Sequence, residues 1–174
     1  MIVWCAVSGQ VPCSGAKRRD KVLDEVSTAI LGDAVAENYR VALRCALPVF
    51  VVANSFMRVP QHPLIKINVV DAGPDVADDW IAERAVAGDI VVTNDIPLAA
   101  RCLEHNAEVL APTGKPFTTA SIGAALAQRE LMEHLRSFGE GQGGPRPFSQ
   151  QDRSRFLSAL DAAVTRARRT KGAA

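Results

Sequence analysis

An α/β fold with a mostly parallel sheet is predicted by three features of the sequence. Short runs rich in β-branched residues occur at 49–53, 65–70 and 90–93, and they read as buried strands. Between them the apolar residues recur at helical spacing, as at Ala77, Trp80, Ile81 and Ala85. Strands separated by helices of this size imply right-handed crossovers between parallel neighbours.

The elements follow in order. Residues 2–7 read as a strand, 11–19 as a loop, and 20–47 as one long helix or two broken near Gly32. The strand at 49–53 follows Pro48, and the strand at 65–70 runs into Asp71-Ala72-Gly73-Pro74. A helix is expected from Asp75, its N-cap, with Gly88 beyond its end. Residues 90–93 form the next strand, and Pro97 suits the first turn of a helix reaching Glu104, capped by Asp95 or Asn94. Residues 108–110 are expected as a short final strand. After Pro116, Thr118 or Thr119 caps a helix with Ile122, Leu126, Leu131 and Leu135 on one face. A loop at 139–148, rich in glycine and proline, leads to a C-terminal helix at 149–171, capped by Ser149 and basic at its end.

At 174 residues, 48% apolar and 22% charged, the chain reads as a single domain spanning 1–174 with a substantial core. Its apolar runs fall well short of the roughly 20 residues a membrane-spanning helix needs. The basic cluster Lys17, Arg18 and Arg19 follows the first apolar residues, the wrong order for a secretion signal, and a cytoplasmic setting is expected. The net charge of +1 leaves room only for a local nucleic-acid surface. Four scattered cysteines and three histidines lack the spacing of a zinc site, and Cys45 and Cys102 read as small buried hydrophobes. No P-loop, G-x-S-x-G or G-x-G-x-x-G occurs.

Asp95 ends a core strand. In open α/β sheets ligands bind outside the carboxyl ends of the strands, so the acids beside predicted strand ends, Asp71, Asp75, Asp78, Asp79 and Asp95, converge on one edge despite their separation in sequence. Such a group suits Mg²⁺ or Mn²⁺, hard cations that favour carboxylate oxygen and support phosphodiester hydrolysis. Asn54, ending another strand, adds a neutral oxygen ligand or orients a water. Each acid also has a structural reading: Asp75 as N-cap, Asp78 and Asp79 as favourable first-turn charges, Asp71 as a turn residue with Gly73, Asp95 as a cap. Asp89, at the other end of its strand, reads as a turn residue.

Asn54, Arg58-Val59-Pro60, Gly73-Pro74-Asp75-Val76-Ala77-Asp78, residues 88–99, and Gly143-Gly144-Pro145 with Gln151-Asp152-Arg153 occur in the order in which similar motifs occur in the YaiI/YqxD family. The chain resembles that family over roughly residues 34–169. The resemblance implies a PIN-like domain: a three-layer α/β/α fold whose clustered acids serve a Mg²⁺- or Mn²⁺-dependent ribonuclease. Under it, Asp78 and Asp95 are the catalytic acids and metal ligands, Asp75 is a neighbouring metal-binding acid, and Asn54, Thr93, Asn94 and Arg153 serve substrate binding. The family's remaining acids lie in an Asp-Ala-Asp-Ala-Cys-Pro motif after an amino-terminal strand. Here residues 1–33 diverge, and Cys5-Ala6-Val7-Ser8 stands where those carboxylates are expected; Asp33 is the nearest substitute. A second reading is an RNA-binding protein without catalysis, using Lys115, Arg129, Arg146 and Arg153 on phosphates; a third is a scaffold that binds a protein partner.

Overall fold

The structure, a computed structural model, describes residues 2–5, 33–137 and 149–172. The element order is β1 (Ile2–Cys5), α1 (Asp33–Arg44), β2 (Val49–Ala53), β3 (Ile65–Val69), α2 (Val76–Ala82), β4 (Ile90–Val92), α3 (Ile96–Glu104), β5 (Glu108–Leu110), β6 (Pro116–Phe117), α4 (Thr119–Ser137) and α5 (Gln150–Gly172). The expected loops at 11–19 and 139–148, and most of the divergent amino-terminal segment, lie outside the described residues.

One six-stranded sheet runs in the order β3-β2-β1-β4-β5-β6. β2 pairs parallel with β3 and β4 with β5, while β1 lies antiparallel to both β2 and β4. Thus β2, β3, β4 and β5 share one direction, and β1 and β6 oppose it. Two expectations are corrected. The strand at 108–110 is not the last, because the turn at 111–115 returns the chain to pair Phe117 with Val109. The amino-terminal strand forms, but Ile2 aligns with Val52 and Cys5 with Val49, so its carboxyl end points away from the edge where β2 and β4 end.

Alternation along each strand builds two cores. Val49, Val51, Ile90, Val92 and Leu110 pack with Tyr39 of α1 and Phe156, Leu160 and Val164 of α5. Val52, Val91 and Val109 pack on the other face with Ile81 of α2 and Leu98 and Cys102 of α3. Helices therefore cover both faces of the sheet, as continuous apolar strands require.

Two helices end in Schellman motifs. Leu47 N–H donates to the Ala42 carbonyl and Ala46 N–H to Leu43, with Ala46 at φ 53°; Ala107 and Asn106 repeat the pattern on Cys102 and Leu103, with Asn106 at φ 60°. Each motif turns the chain directly into β2 or β5. At the other end of β5, Gly114 (φ +81°) is closely approached by α5: an added Cβ would sit 2.5 Å from the Phe156 nitrogen and 2.6 Å from the Arg155 carbonyl carbon.

That approach fixes α5 against the β5–β6 turn. Gly114→Ala is expected to destabilise the protein by about 2 kcal/mol or more, because both the positive φ and the contact with helix backbone oppose a side chain. Urea denaturation measures it, and an unchanged midpoint would refute the close packing.

Candidate functional site at the carboxyl edge of the sheet

Both acid-bearing junctions open on the edge where β3 and β4 end. After β4, the buried Thr93 accepts the Asp95 N–H on its hydroxyl at 2.9 Å. This sets the backbone so that Asp95 Oδ1 accepts the Leu98 N–H at 3.0 Å. Asp95 is thus the N-cap of α3, with Pro97 in the first turn. Its second oxygen, Oδ2, faces Arg129 Nη1 of α4 at 3.5 Å. Both side chains are partly exposed, 42% for Arg129 and 35% for Asp95, and pairs of this kind contribute about 0–1 kcal/mol.

After β3, Asn54 Nδ2 donates to the Gly73 carbonyl at 3.0 Å, holding the loop that leads into α2. Asp75 occupies the N-cap position of α2, but in the left-handed region at φ 61°, and its carboxylate makes no capping hydrogen bond. The expectation of an ordinary side-chain cap is corrected: its backbone carbonyl accepts the Asp79 N–H at 2.7 Å, while the carboxylate is left to the edge. Asp79 pairs with Arg101 at 2.7 Å. Asp89 is buried at the opposite end of β4, where its carboxylate accepts the Val86 N–H, the turn role its position predicts.

Asp78 is the electrostatic centre of the group. Its carboxyl is held above the usual carboxylate range, first by burial and then by the negative charges of Asp95 and Asp75; Arg101 acts in the opposite direction. Acids from two junctions therefore act on one another. Among the described residues, no three His, Cys, Asp or Glu side chains come together closely enough to hold a metal ion. The group is a pair of carboxylates with an auxiliary acid, not a ligand cage.

The expected substrate-contacting residues fall in different places. Asn94 is exposed beside Asp95 and, with Lys115, Gln128 and Arg129, lines a cleft of about 380 Å³. Arg153 is instead ion-paired with Glu37 of α1, whose side chain is only 6% exposed and also pairs with Arg40. It ties the start of α5 to α1. Ser149 caps α5 reciprocally, its hydroxyl accepting the Asp152 N–H while the Asp152 carboxylate accepts the Ser149 N–H. Arg146 lies outside the described residues. Cys102 is fully buried and its thiol is pushed up to about 11, chiefly by burial, so it packs as a hydrophobe. Sequence reasoning had no signal for the pairing of Arg129 with Asp95, which depends on how α4 folds back over α3.

A mixed sheet covered by helices on both faces, with acids gathered at its carboxyl edge, defines the class of protein. Residues 32–166 match the family described as "Uncharacterized BCR, YaiI/YqxD family". Similar proteins include a UPF0178 protein of Bradyrhizobium diazoefficiens, 56% identical over 154 residues that cover 86% of this chain and 92% of the relative. Others are a UPF0178 protein of Rhodopseudomonas palustris strain BisB18, 61% identical over 134 residues (77% of this chain, 86% of the relative), and one of Caulobacter sp. strain K31, 59% identical over 133 residues (76% and 88%). The chain belongs to the YaiI/YqxD family. No solved structure matches it. No helix among the described residues is long and apolar enough to cross a membrane.

The raised pKa of Asp78 has a measurable consequence. Below the carboxyl's unfolded value both states carry the proton; as pH rises through the folded value, the folded state must ionise Asp78 beside Asp95 and Asp75 and loses stability. Asp78→Asn is therefore expected to melt higher than the wild type at neutral pH without divalent cations, with the difference closing in acid. Equal melting temperatures at both pH values would show that the folded state does not hold Asp78 above its ordinary range.

Proposed function

We propose that the carboxyl edge is a divalent-cation site for phosphodiester cleavage, with RNA as substrate and Asp78 and Asp95 as the central acids. The observation that carries the reading is that Asp75 and Asp78 at the start of α2 and Asp95 at the start of α3 share the edge where the parallel strands β3 and β4 end. Like charges brought together at a strand edge favour a cation that relieves their repulsion. Two carboxylates suffice for Mg²⁺, which keeps several waters and is commonly held by one or two carboxylates plus substrate phosphate. Mn²⁺ suits the same oxygen donors. When bound, such an ion polarises a phosphoryl oxygen and lowers the pKa of water.

The protein's own contributions are positional. Thr93 and the Leu98 amide fix the Asp95 carboxylate, so one oxygen is committed to α3 and the other faces Arg129. Asp78, held above the usual carboxylate range chiefly by burial, stands at the start of α2 beside the same edge. Asn54 holds the loop carrying Asp75. Asn94, exposed beside Asp95, offers an amide to the substrate. The PIN-like character implied by the family resemblance supports the reading of these acids as a nuclease site.

A second reading, RNA binding without cleavage, is favoured by one observation: both Asp95 oxygens already have protein partners, the Leu98 amide and Arg129. One assay separates the two. Purified protein incubated with single-stranded RNA and Mn²⁺ is expected to cleave it, and Asp95→Asn to reduce cleavage by at least about a hundredfold, the scale of losing a principal catalytic electrostatic group. Asn remains a good N-cap, so α3 is retained. Equal cleavage by the variant would overturn the assignment, and RNA binding without cleavage, indifferent to chelator, would establish the second reading.

A further inference from the structure

We propose that the cleft between the start of α3 and the helix α4 is a subsite for a phosphodiester group of single-stranded nucleic acid, and that Arg129 is shared between that phosphate and Asp95. The inference deepens the reading of the acidic edge and rests on it only where it concerns the cation.

The cleft, about 380 Å³, carries two cationic side chains, Lys115 and Arg129, with the amides of Asn94 and Gln128. This donor set suits phosphate oxygens. Phe117 and Met132 line the same cleft, giving an apolar surface against which a base can rest. Lys115 also lines a neighbouring open hollow of about 680 Å³ that contains Ser154 and Arg155. Donors thus continue from one hollow to the next, which suits a polyanion longer than one phosphate. The near-neutral net charge of +1 makes this local concentration of cations the more distinctive.

Arg129 is placed to exchange partners. At 3.5 Å from Asp95 Oδ2 it is beyond a short charge-assisted hydrogen bond, and both groups are partly exposed. Asp95 Oδ1 is committed to the Leu98 amide, so Oδ2 is the oxygen that a cation and Arg129 contend for. A phosphate that draws Arg129 into the cleft releases Oδ2, so nucleic acid and divalent cation each strengthen binding of the other, as linkage demands. Without nucleic acid, Arg129 holds the acid in a cation-poor state.

The test uses the full chain, a short fluorescent oligouridylate in chelator, and Mn²⁺ calorimetry without oligonucleotide. Arg129→Met and Lys115→Met are each expected to weaken oligouridylate binding about fivefold or more and to flatten its salt dependence. Asp95→Asn is expected to tighten it, and that gain must vanish in the Arg129→Met background, which excludes a general effect of removing one negative charge. Arg129→Met is expected to bind Mn²⁺ more tightly than the wild type. Unchanged oligouridylate binding by Arg129→Met, or a gain from Asp95→Asn that survives without Arg129, overturns the proposal. If no form binds Mn²⁺ while the oligouridylate shifts persist, the phosphate subsite stands and the cation reading falls; if Mn²⁺ binds without those shifts, the cation reading stands and the phosphate subsite falls.

Discussion

β2, β3, β4 and β5 run in one direction, so the chain leaving β3 and the chain leaving β4 emerge on the same edge and each turns there into a helix. The positive ends of α2 and α3 therefore face the acids that follow those strands. The second turn of α5 is pressed against Gly114 in the turn after β5, while Arg166 near its other end pairs with Glu108 at the start of β5. Helix ends that favour negative charge, together with Arg129 facing Asp95 and Arg101 acting on Asp78, offset part of the repulsion among the acids at this edge. Burial first, and then the charges of Asp95 and Asp75, hold the Asp78 carboxyl above its usual range.

Asp95 does two things that ordinarily compete. As the N-cap of α3 it spends one oxygen on the Leu98 amide, and a capping carboxylate is oriented by the backbone it serves. The same orientation makes it useful at the edge, because the other oxygen then has a fixed direction at no further entropic cost. Thr93 extends this logic one step back: its buried hydroxyl receives the Asp95 N–H, so the strand end, the cap and the oxygen that faces Arg129 form one unit. Asp75 reaches a similar result differently, adopting a left-handed conformation that short polar residues tolerate and leaving its side chain out of the cap.

How much of this was legible in the sequence depends on the range over which each feature is determined. The runs at 49–53 and 90–93 announced β2 and β4 because buried strands need only local β-branched apolar residues, and Pro97 and Asp95 announced the start of α3. The two residues of β6 are too short to carry a periodic pattern, so the hairpin at Pro116 and Phe117 went unseen. The conformation of Asp75 was hidden because Asp suits both an ordinary N-cap and a left-handed turn. Pairings between distant residues, Arg153 with Glu37 and Arg129 with Asp95, are products of helix packing that charge pattern does not encode. Strand-end position and motif agree on Asp75, Asp78 and Asp95, and the structure places them at the β3–α2 and β4–α3 junctions.

The direction of β1 is the feature with the largest consequence for the site. β1 fills the centre of the sheet between β2 and β4, where a parallel strand would deliver its following residues to the acidic edge. Lying antiparallel, it instead places Cys5 in register with Val49 and Ile90, the starts of the neighbouring strands. The sheet is completed and its hydrogen bonding satisfied, but the strand's carboxyl end adds nothing to the acids. Among the described residues the acidic edge is therefore supplied from the β3–α2 and β4–α3 junctions, in agreement with the absence of a three-ligand group there. A cation held by two carboxylates must draw its remaining oxygens from water or substrate. Under the proposed reading, that requirement would tie occupancy of the acids to arrival of a phosphate, with Arg129, which faces Asp95 Oδ2 and lines the cleft, as the residue between the two.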